Sequence, residues 1–298
     1  MSSPRGRLAS LSASCLLVLS ACSGPTVPMP DETFASEPNA RTHWVMRHRV
    51  AAGPGIEVVT QTLTDQQEST GVRLANQTTD RPDDCHVTVS NPGQDGPGNM
   101  VGEKIETTFD RHPAVRSGAG AEADYLMWQL PDSSWVEVSC SDEKSRASID
   151  RLAGAVKFTP TTIPVPVDFE VPRGVRLSSI SVDLASSSAQ IYLNAFRTGD
   201  RGDFSITVGH PEETPNPDGQ STTIADHPAV VFDGKISPMV WVQEQGTWVR
   251  VAAATSDTGP YPDRSGELPA VRALAESLTF APDLSDPTTW FSAEKVFG

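Results

Sequence analysis

The sequence predicts an α+β protein built as two tandem related domains, each an antiparallel β-sheet ending in a packed C-terminal α-helix. Three observations predict it. TTFDRHPAV at 107–115 returns as TTIADHPAV at 222–230. Trp128 and Trp135 are spaced like Trp241 and Trp248, and the second tryptophan opens WVEV in one copy and WVRV in the other. Each copy then closes alike, with Ile149, Leu152, Ala153, Val156, Phe158 and Pro160 matching Val271, Leu274, Ala275, Leu278, Phe280 and Pro282 in register. Matches in the same order mark a duplication.

In chain order, residues 1–21 come first and divide like an export signal. Arg5 and Arg7 precede a short apolar run from Leu11 to Leu19, and small residues follow. A permanent membrane helix needs about 20 apolar residues, and this run is shorter. Leu19-Ser20-Ala21-Cys22 resembles the lipobox of bacterial lipoproteins. The resemblance implies removal of residues 1–21 and acylation of Cys22 by fatty chains such as palmitate. The protein would then sit on the extracytoplasmic face of the cell membrane. Without Arg5 and Arg7, the 23 basic residues fall to 21 against 38 acidic ones, a net charge of −17. Such a chain is repelled by nucleic acid and by anionic headgroups.

Residues 22–44 follow as an acylated cysteine and a proline-rich tether. RTHWVMRHRV at 41–50 is locally basic, and its alternation suits an edge strand with Trp44, Met46 and His48 on one face. The first repeat spans 45–160 and the second 165–282, with 283–298 left as a tail. GVRL at 71–74 recurs at 174–177, which gives the second copy an insertion near 178–195. Cys15 leaves with the signal and Cys22 takes the lipid, so Cys85 and Cys140 form the remaining pair. Cys85 alternates with Val87 and Val89, and Cys140 with Val138 and Val136, so both point to the apolar side of a sheet. A disulfide there closes a loop worth roughly 4 kcal/mol on the chain-entropy model. Phe204 and Ala253 stand at the corresponding places in the second copy.

Each Trp-x6-Trp segment contains turn formers, LPDSS or VQEQG, and reads as a hairpin with its tryptophans opposed. The closing segments carry the stripe of a helix on a sheet, stopped by Pro160 and Pro282. This plan resembles small domains of unknown function in exported Gram-positive lipoproteins and in the extracytoplasmic parts of anti-sigma regulators. The matching positions are Trp128 with Leu152-Ala153, and Trp241 with Leu274-Ala275. The resemblance implies a fold and a compartment rather than an activity.

His112 and His227 recur, but no serine, cysteine or carboxylate recurs beside them, and His-Pro reads as a turn before a strand. No metal-ligand spacing or cofactor fingerprint is present; NPGQDGPGN and HPEETPNPDGQ read as long hairpin connections. Trp128, Trp135, Trp241 and Trp248 remain as a ligand or partner surface, either exposed or packed repeat against repeat. The expectation is a non-enzymatic binding or scaffolding protein of the cell envelope, joined to the membrane through Cys22 and to an envelope protein or ligand. The alternative is a carrier or sensor holding an apolar or envelope-derived ligand between the repeats. A hydrolase would need a converging acid, base and nucleophile, for which the sequence gives no sign.

Overall fold

The computed structural model describes residues 44–75, 85–94, 96, 103–117, 124–140, 145–195, 203–210, 214–254 and 263–297. Cys22 and the tether up to residue 43 therefore lie outside the described residues. The first half contains β1 (Val45–Met46), β2 (Arg49–Val50), β3 (Ile56–Thr64), β4 (Gln67–Leu74), β5 (Cys85–Ser90), β6 (Lys104–Phe109), β7 (His112–Ser117), β8 (Asp124–Gln129), β9 (Trp135–Cys140), α1 (Ser145–Ala155), β10 (Val156–Lys157) and β11 (Thr161–Thr162). The second contains β12 (Pro164–Val165), β13 (Val167–Asp168), β14 (Val175–Asp183), β15 (Ser188–Ala195), β16 (Phe204–Val208), β17 (Gln220–Ile224), β18 (His227–Phe232), β19 (Met239–Glu244), β20 (Thr247–Ala253), α2 (Leu268–Glu276), β21 (Thr279–Phe280), β22 (Phe291–Ser292) and α3 (Ala293–Phe297).

The fold is mostly β, which corrects the α+β expectation. One 14-stranded antiparallel sheet runs through both halves, in the order β17-β18-β19-β20-β16-β15-β14-β3-β4-β5-β9-β8-β7-β6. Its halves have the same strand order outward from the centre, where β3 pairs with β14. The alternation within β3 or β14 is the same whether a strand is an edge or is paired, so periodicity could not reveal this join. Nor do helices end the repeats. After α1 the chain forms β10, which pairs with β2, and β11, which pairs with β1. After α2 it forms β21, paired with β13, and β22, paired with β12, before α3. Neither Pro160 nor Pro282 stops a helix, because α1 ends at Ala155 and α2 at Glu276.

The true equivalents differ from the sequence match at GVRL. Gly55 and Gly174, with φ of 70° and 84°, each precede the first long strand of their half. Each strand then carries a bulge at the same place, between Val58 and Thr60 in β3 and between Leu177 and Ser179 in β14. Gly174-Val-Arg-Leu thus corresponds to Gly55-Ile-Glu-Val, and the expected insertion near 178–195 is the β14–β15 hairpin, equivalent to β3–β4. Under this correspondence Thr62 matches Ser181. They sit opposite each other at the join with their hydroxyls 3.0 Å apart, marking a local two-fold axis.

One face of the sheet holds the core. A row of register partners crosses it from Trp128 through Val136, Val89, Glu68, Leu63, Ile180, Ile191, Ile206 and Val251 to Val240. All are buried. α1 packs over this face on β8 and β9, and α2 on β19 and β20. Ile149, Leu152, Ala153 and Val156 close the first core, and Val271, Leu274, Ala275 and Leu278 the second. The cores interlock at the join, because Trp44, Met46 and Leu63 of the first half belong to the second core. Phe297 in α3 lies edge-on to both Trp44 and Phe169, so the tail docks on the domain.

Cys85 and Cys140 are register partners joined by a disulfide. Phe204 and Ala253 are register partners in the second half, buried at 3% and 0% exposure, and fill the corresponding volume with a large and a small side chain. Among the described residues no helix is long and apolar enough to cross a membrane.

Candidate functional site

The four tryptophans do not form opposed pairs. Trp128 faces Val136 and Trp135 faces Gln129, while Trp241 faces Arg250 and Trp248 faces Gln243. The turn sets the register, not the tryptophan spacing. Residues 130–134 connect β8 to β9, whereas Gln245-Gly246 alone, both at positive φ, connect β19 to β20. Trp128 consequently points into the first core, tilted on Phe109 at 4.6 Å. Its structural counterpart is Val242. Trp135, Trp241 and Trp248 lie on the opposite face. Trp135 is half-buried beneath Gly96, whose backbone passes so close that an added Cβ would sit 2.4 Å from the indole. Trp241 is buried and its indole N–H meets no acceptor among the described residues.

The recurring histidines follow two-residue turns rather than forming them. Asp110-Arg111 and Ala225-Asp226 all have positive φ, which matches the twist of a tight hairpin. Each histidine then opens a strand opposite an apolar residue, His112 across from Phe109 and His227 across from Ile224.

His112 lies on a cleft of about 840 Å³ in the first half. The cleft is bounded by Phe109, Asp110, His112, Trp128, Leu130, Asp132, Val156, Phe158 and Arg47. Phe158 is 47% exposed, a large apolar side chain standing in solvent at its rim. Arg47 is fixed by four residues. Its Nη1 donates to Ser134 Oγ at 2.9 Å and lies 3.4 Å from an oxygen of Asp132, and its Nη2 donates to the Ser90 carbonyl at 2.8 Å. Its backbone N–H donates to both carboxylate oxygens of Glu68, at 3.0 and 2.8 Å.

Glu68 continues the network inward. His48 Nδ1 is 2.9 Å from Glu68 Oε1, and His48 Nε2 is 3.1 Å from Thr70 Oγ1. A carboxylate only accepts, so Nδ1 carries the proton toward Glu68. Carboxylate, imidazole and hydroxyl in series have the order of a nucleophile relay. Here all three are buried, at 0%, 0% and 1% exposure, so the hydroxyl meets no substrate. Of the three, Glu68 contacts Arg47, accepting from its backbone N–H at the cleft wall. Trp44, Met46 and His48 do share one side as their alternation implies, but the segment is two short strands broken by a bend, and all three side chains are buried.

The matching positions of the second half are arranged differently. Phe280, the counterpart of Phe158, stands edge-on to His227 at 5.1 Å. His227 Nδ1 pairs with Glu244 at 2.7 Å. Residues 281–290 then connect β21 to β22, with Leu284 buried at 2% exposure. Gln245 clamps them, donating to the Pro282 carbonyl at 3.0 Å and accepting from the Leu284 N–H at 3.0 Å. In the first half residues 158–160 alone separate β10 from β11.

No protein-family model matches the chain, and no characterised protein matches it significantly. The functional reading therefore rests on the site itself. Among the described residues, no group of three histidine, cysteine, aspartate or glutamate side chains is placed to hold a metal ion. Sequence reasoning reached Trp128 and His112 but missed Arg47, Glu68, Phe109, Leu130 and Phe158. A visible signal was the unequal spacing after the matched Phe158 and Phe280.

Proposed function

We propose that the protein is a lipid-anchored extracytoplasmic binding protein, and that it holds its ligand in the open cleft of the first half. The observation that carries this is the cleft beneath an exposed Phe158, whose counterpart Phe280 packs on His227 instead. A pocket of this size, apolar within and bearing a few fixed polar groups, has the character of a ligand site. Arg47, held at its wall by Glu68, Ser90, Asp132 and Ser134, is preorganised rather than swinging freely. The net charge of −17 after signal removal supports a location away from nucleic acid. Leu19-Ser20-Ala21-Cys22 supports the anchor.

Native mass spectrometry on residues 40–298 purified from the producing cell's envelope tests the binding site. The expected result is a reproducible added mass on the wild type and its loss in Phe158→Asp. The same mass on both proteins would move the site elsewhere. Cys22→Ala in the full chain is expected to shift the protein from the membrane fraction to the medium. Continued membrane association would remove the lipid as the anchor.

A further inference from the structure

We propose that β6 is an edge through which two copies of the chain join. Their β6 strands pair antiparallel about a two-fold axis at Ile105, so that one sheet continues across both molecules. β6 is an outer strand of the 14-stranded sheet, and among the described residues no strand pairs with its far side. An outer strand leaves a row of N–H and C=O groups able to pair with another chain. Which groups these are follows from the turn. Asp110-Arg111 is a two-residue turn, so Phe109 and His112 exchange backbone hydrogen bonds and the pairs alternate from there. Thr107 and Ile105 therefore bond inward to Ala114 and Arg116, while Thr108, Glu106 and Lys104 turn their amides and carbonyls outward. Pro113 fits this phase, because it stands opposite Thr108, where β7 supplies no N–H to β6.

Charge selects the register. Outward-turned residues must meet one another, so the axis falls on a residue rather than between two. An axis on Lys104 or on Glu106 sets that residue directly against its own copy, like charge on like. An axis on Thr107 leaves Lys104 opposite the turn. An axis on Ile105 puts Lys104 opposite the partner's Glu106, and Glu106 opposite the partner's Lys104. Ile105 then meets the partner's Ile105 at a non-hydrogen-bonded site, where side chains stand closest. Ile105 is 41% exposed, a large apolar side chain that this contact covers. α1 packs on β8 and β9, and its Asp150 pairs with Arg116 of β7, so the helix stops one strand short of Ile105. The other outer strand lacks these features. β17 carries Gln220 where β6 carries Ile105, and Gly219 and Ser221 stand where Lys104 and Glu106 do. No residue of β17 is charged, so it offers Lys104 and Glu106 no complement. A β6–β6 contact also closes as a dimer, whereas β6 on β17 would run head to tail.

The test places a cysteine on the axis in the purified full chain. Ile105→Cys is expected to give a disulfide-linked dimer on mild oxidation, seen as a doubled mass on a non-reducing gel, because a residue on the axis faces its own copy within disulfide reach. The wild type sets the background, with Cys85 and Cys140 already joined. Thr107→Cys and Gln220→Cys are equally exposed but lie off the axis, and are expected to stay at that background. Adding Glu106→Lys to Ile105→Cys sets like charges together on both sides of the axis and is expected to lower the dimer yield at least about threefold. Adding Lys104→Glu as well exchanges the two charges and is expected to restore the yield. Every substituted position is exposed, so the variants retain the fold. No dimer from Ile105→Cys, or as much from Gln220→Cys, would overturn the proposal. A charge exchange that fails to restore the yield would overturn the register, and the pairing with it.

Discussion

The two halves share a strand order and differ where polar groups meet the core. In the second half Val167, Ala189 and Ile191 lie side by side, buried at 0%, 2% and 0% exposure. In the first half the corresponding residues are His48, Glu68 and Thr70, equally buried but linked by hydrogen bonds. The second half shows that this fold closes with an apolar set there. The polar set is therefore not a requirement of the architecture, and what it adds is a fixed Arg47 beside an open cleft. The matching aromatic residues differ too: beside the apolar set Phe280 packs on His227, and beside the polar set Phe158 stands exposed at a cleft.

The largest expected effect comes from breaking the polar set. Glu68→Ala leaves His48 and the Arg47 N–H without their buried acceptor and is expected to cost roughly 3–5 kcal/mol in urea unfolding. Transplanting the second half's residues, His48→Val with Glu68→Ala and Thr70→Ile, is expected to recover most of that loss. A triple variant as unstable as the single one would end the claim that the polar set is dispensable to the fold.

Next in size is the disulfide. Removing the Cys85–Cys140 bond by reduction is expected to cost about 4 kcal/mol on the chain-entropy model, with the first half loosening before the second. Cys85→Phe with Cys140→Ala copies Phe204 and Ala253, and is expected to be more stable than Cys85→Ala with Cys140→Ala. Equal stability of the two double variants would mean that the volumes are not equivalent. Because Trp44, Met46 and Leu63 belong to the second core, hydrogen exchange is expected to show their segments protected with the second half.

A third variant empties the buried site of Leu284. Leu284→Ala is expected to cost about 3 kcal/mol by emptying a buried leucine site, and to create a second apolar-probe site absent from the wild type. Unchanged probe stoichiometry would show that the site closes without Leu284.

The smallest effect is a pH dependence in that segment. Hydrogen bonds from the Ser285 hydroxyl and then the Ser285 backbone N–H hold the Asp283 carboxyl below its ordinary range. A lowered folded-state pKa contributes stability above the ordinary carboxylate range, which is lost as pH falls through the lowered value. Trp290 donates to the Asp283 carbonyl at 3.1 Å, so its fluorescence reports this turn. An acid-dependent change is expected in the wild type and not in Asp283→Asn; the same change in both would assign it elsewhere.

Much of each half was legible in the chain. The alternation around Cys85 and Cys140 brought them opposite each other, and the same alternation put Phe204 opposite Ala253. The helical stripes were legible because Ile149, Leu152 and their counterparts repeat at helical spacing. The tryptophan register was not, since turn lengths of residues 130–134 and of Gln245-Gly246 shift it differently. GVRL misled because Leu74 ends one strand while Leu177 lies near the start of another. The join of β3 to β14 pairs strands far apart in sequence, and no local pattern distinguishes a paired strand from an edge. The cleft was hidden for a related reason. It is lined by residues as far apart as Arg47, His112 and Phe158, which the path of the chain rather than any local pattern brings together.

Photo-crosslinking from two equivalent positions tests the contrast most directly. Benzoylphenylalanine is placed at position 158 or 280, cells are irradiated intact, and mass spectrometry identifies what is joined. The account predicts a molecule other than this chain at 158, and at 280 only residues of the chain itself near His227 and Leu284. Foreign capture at both positions alike, or at neither, would contradict the assignment of an open site to Phe158 and a packed one to Phe280.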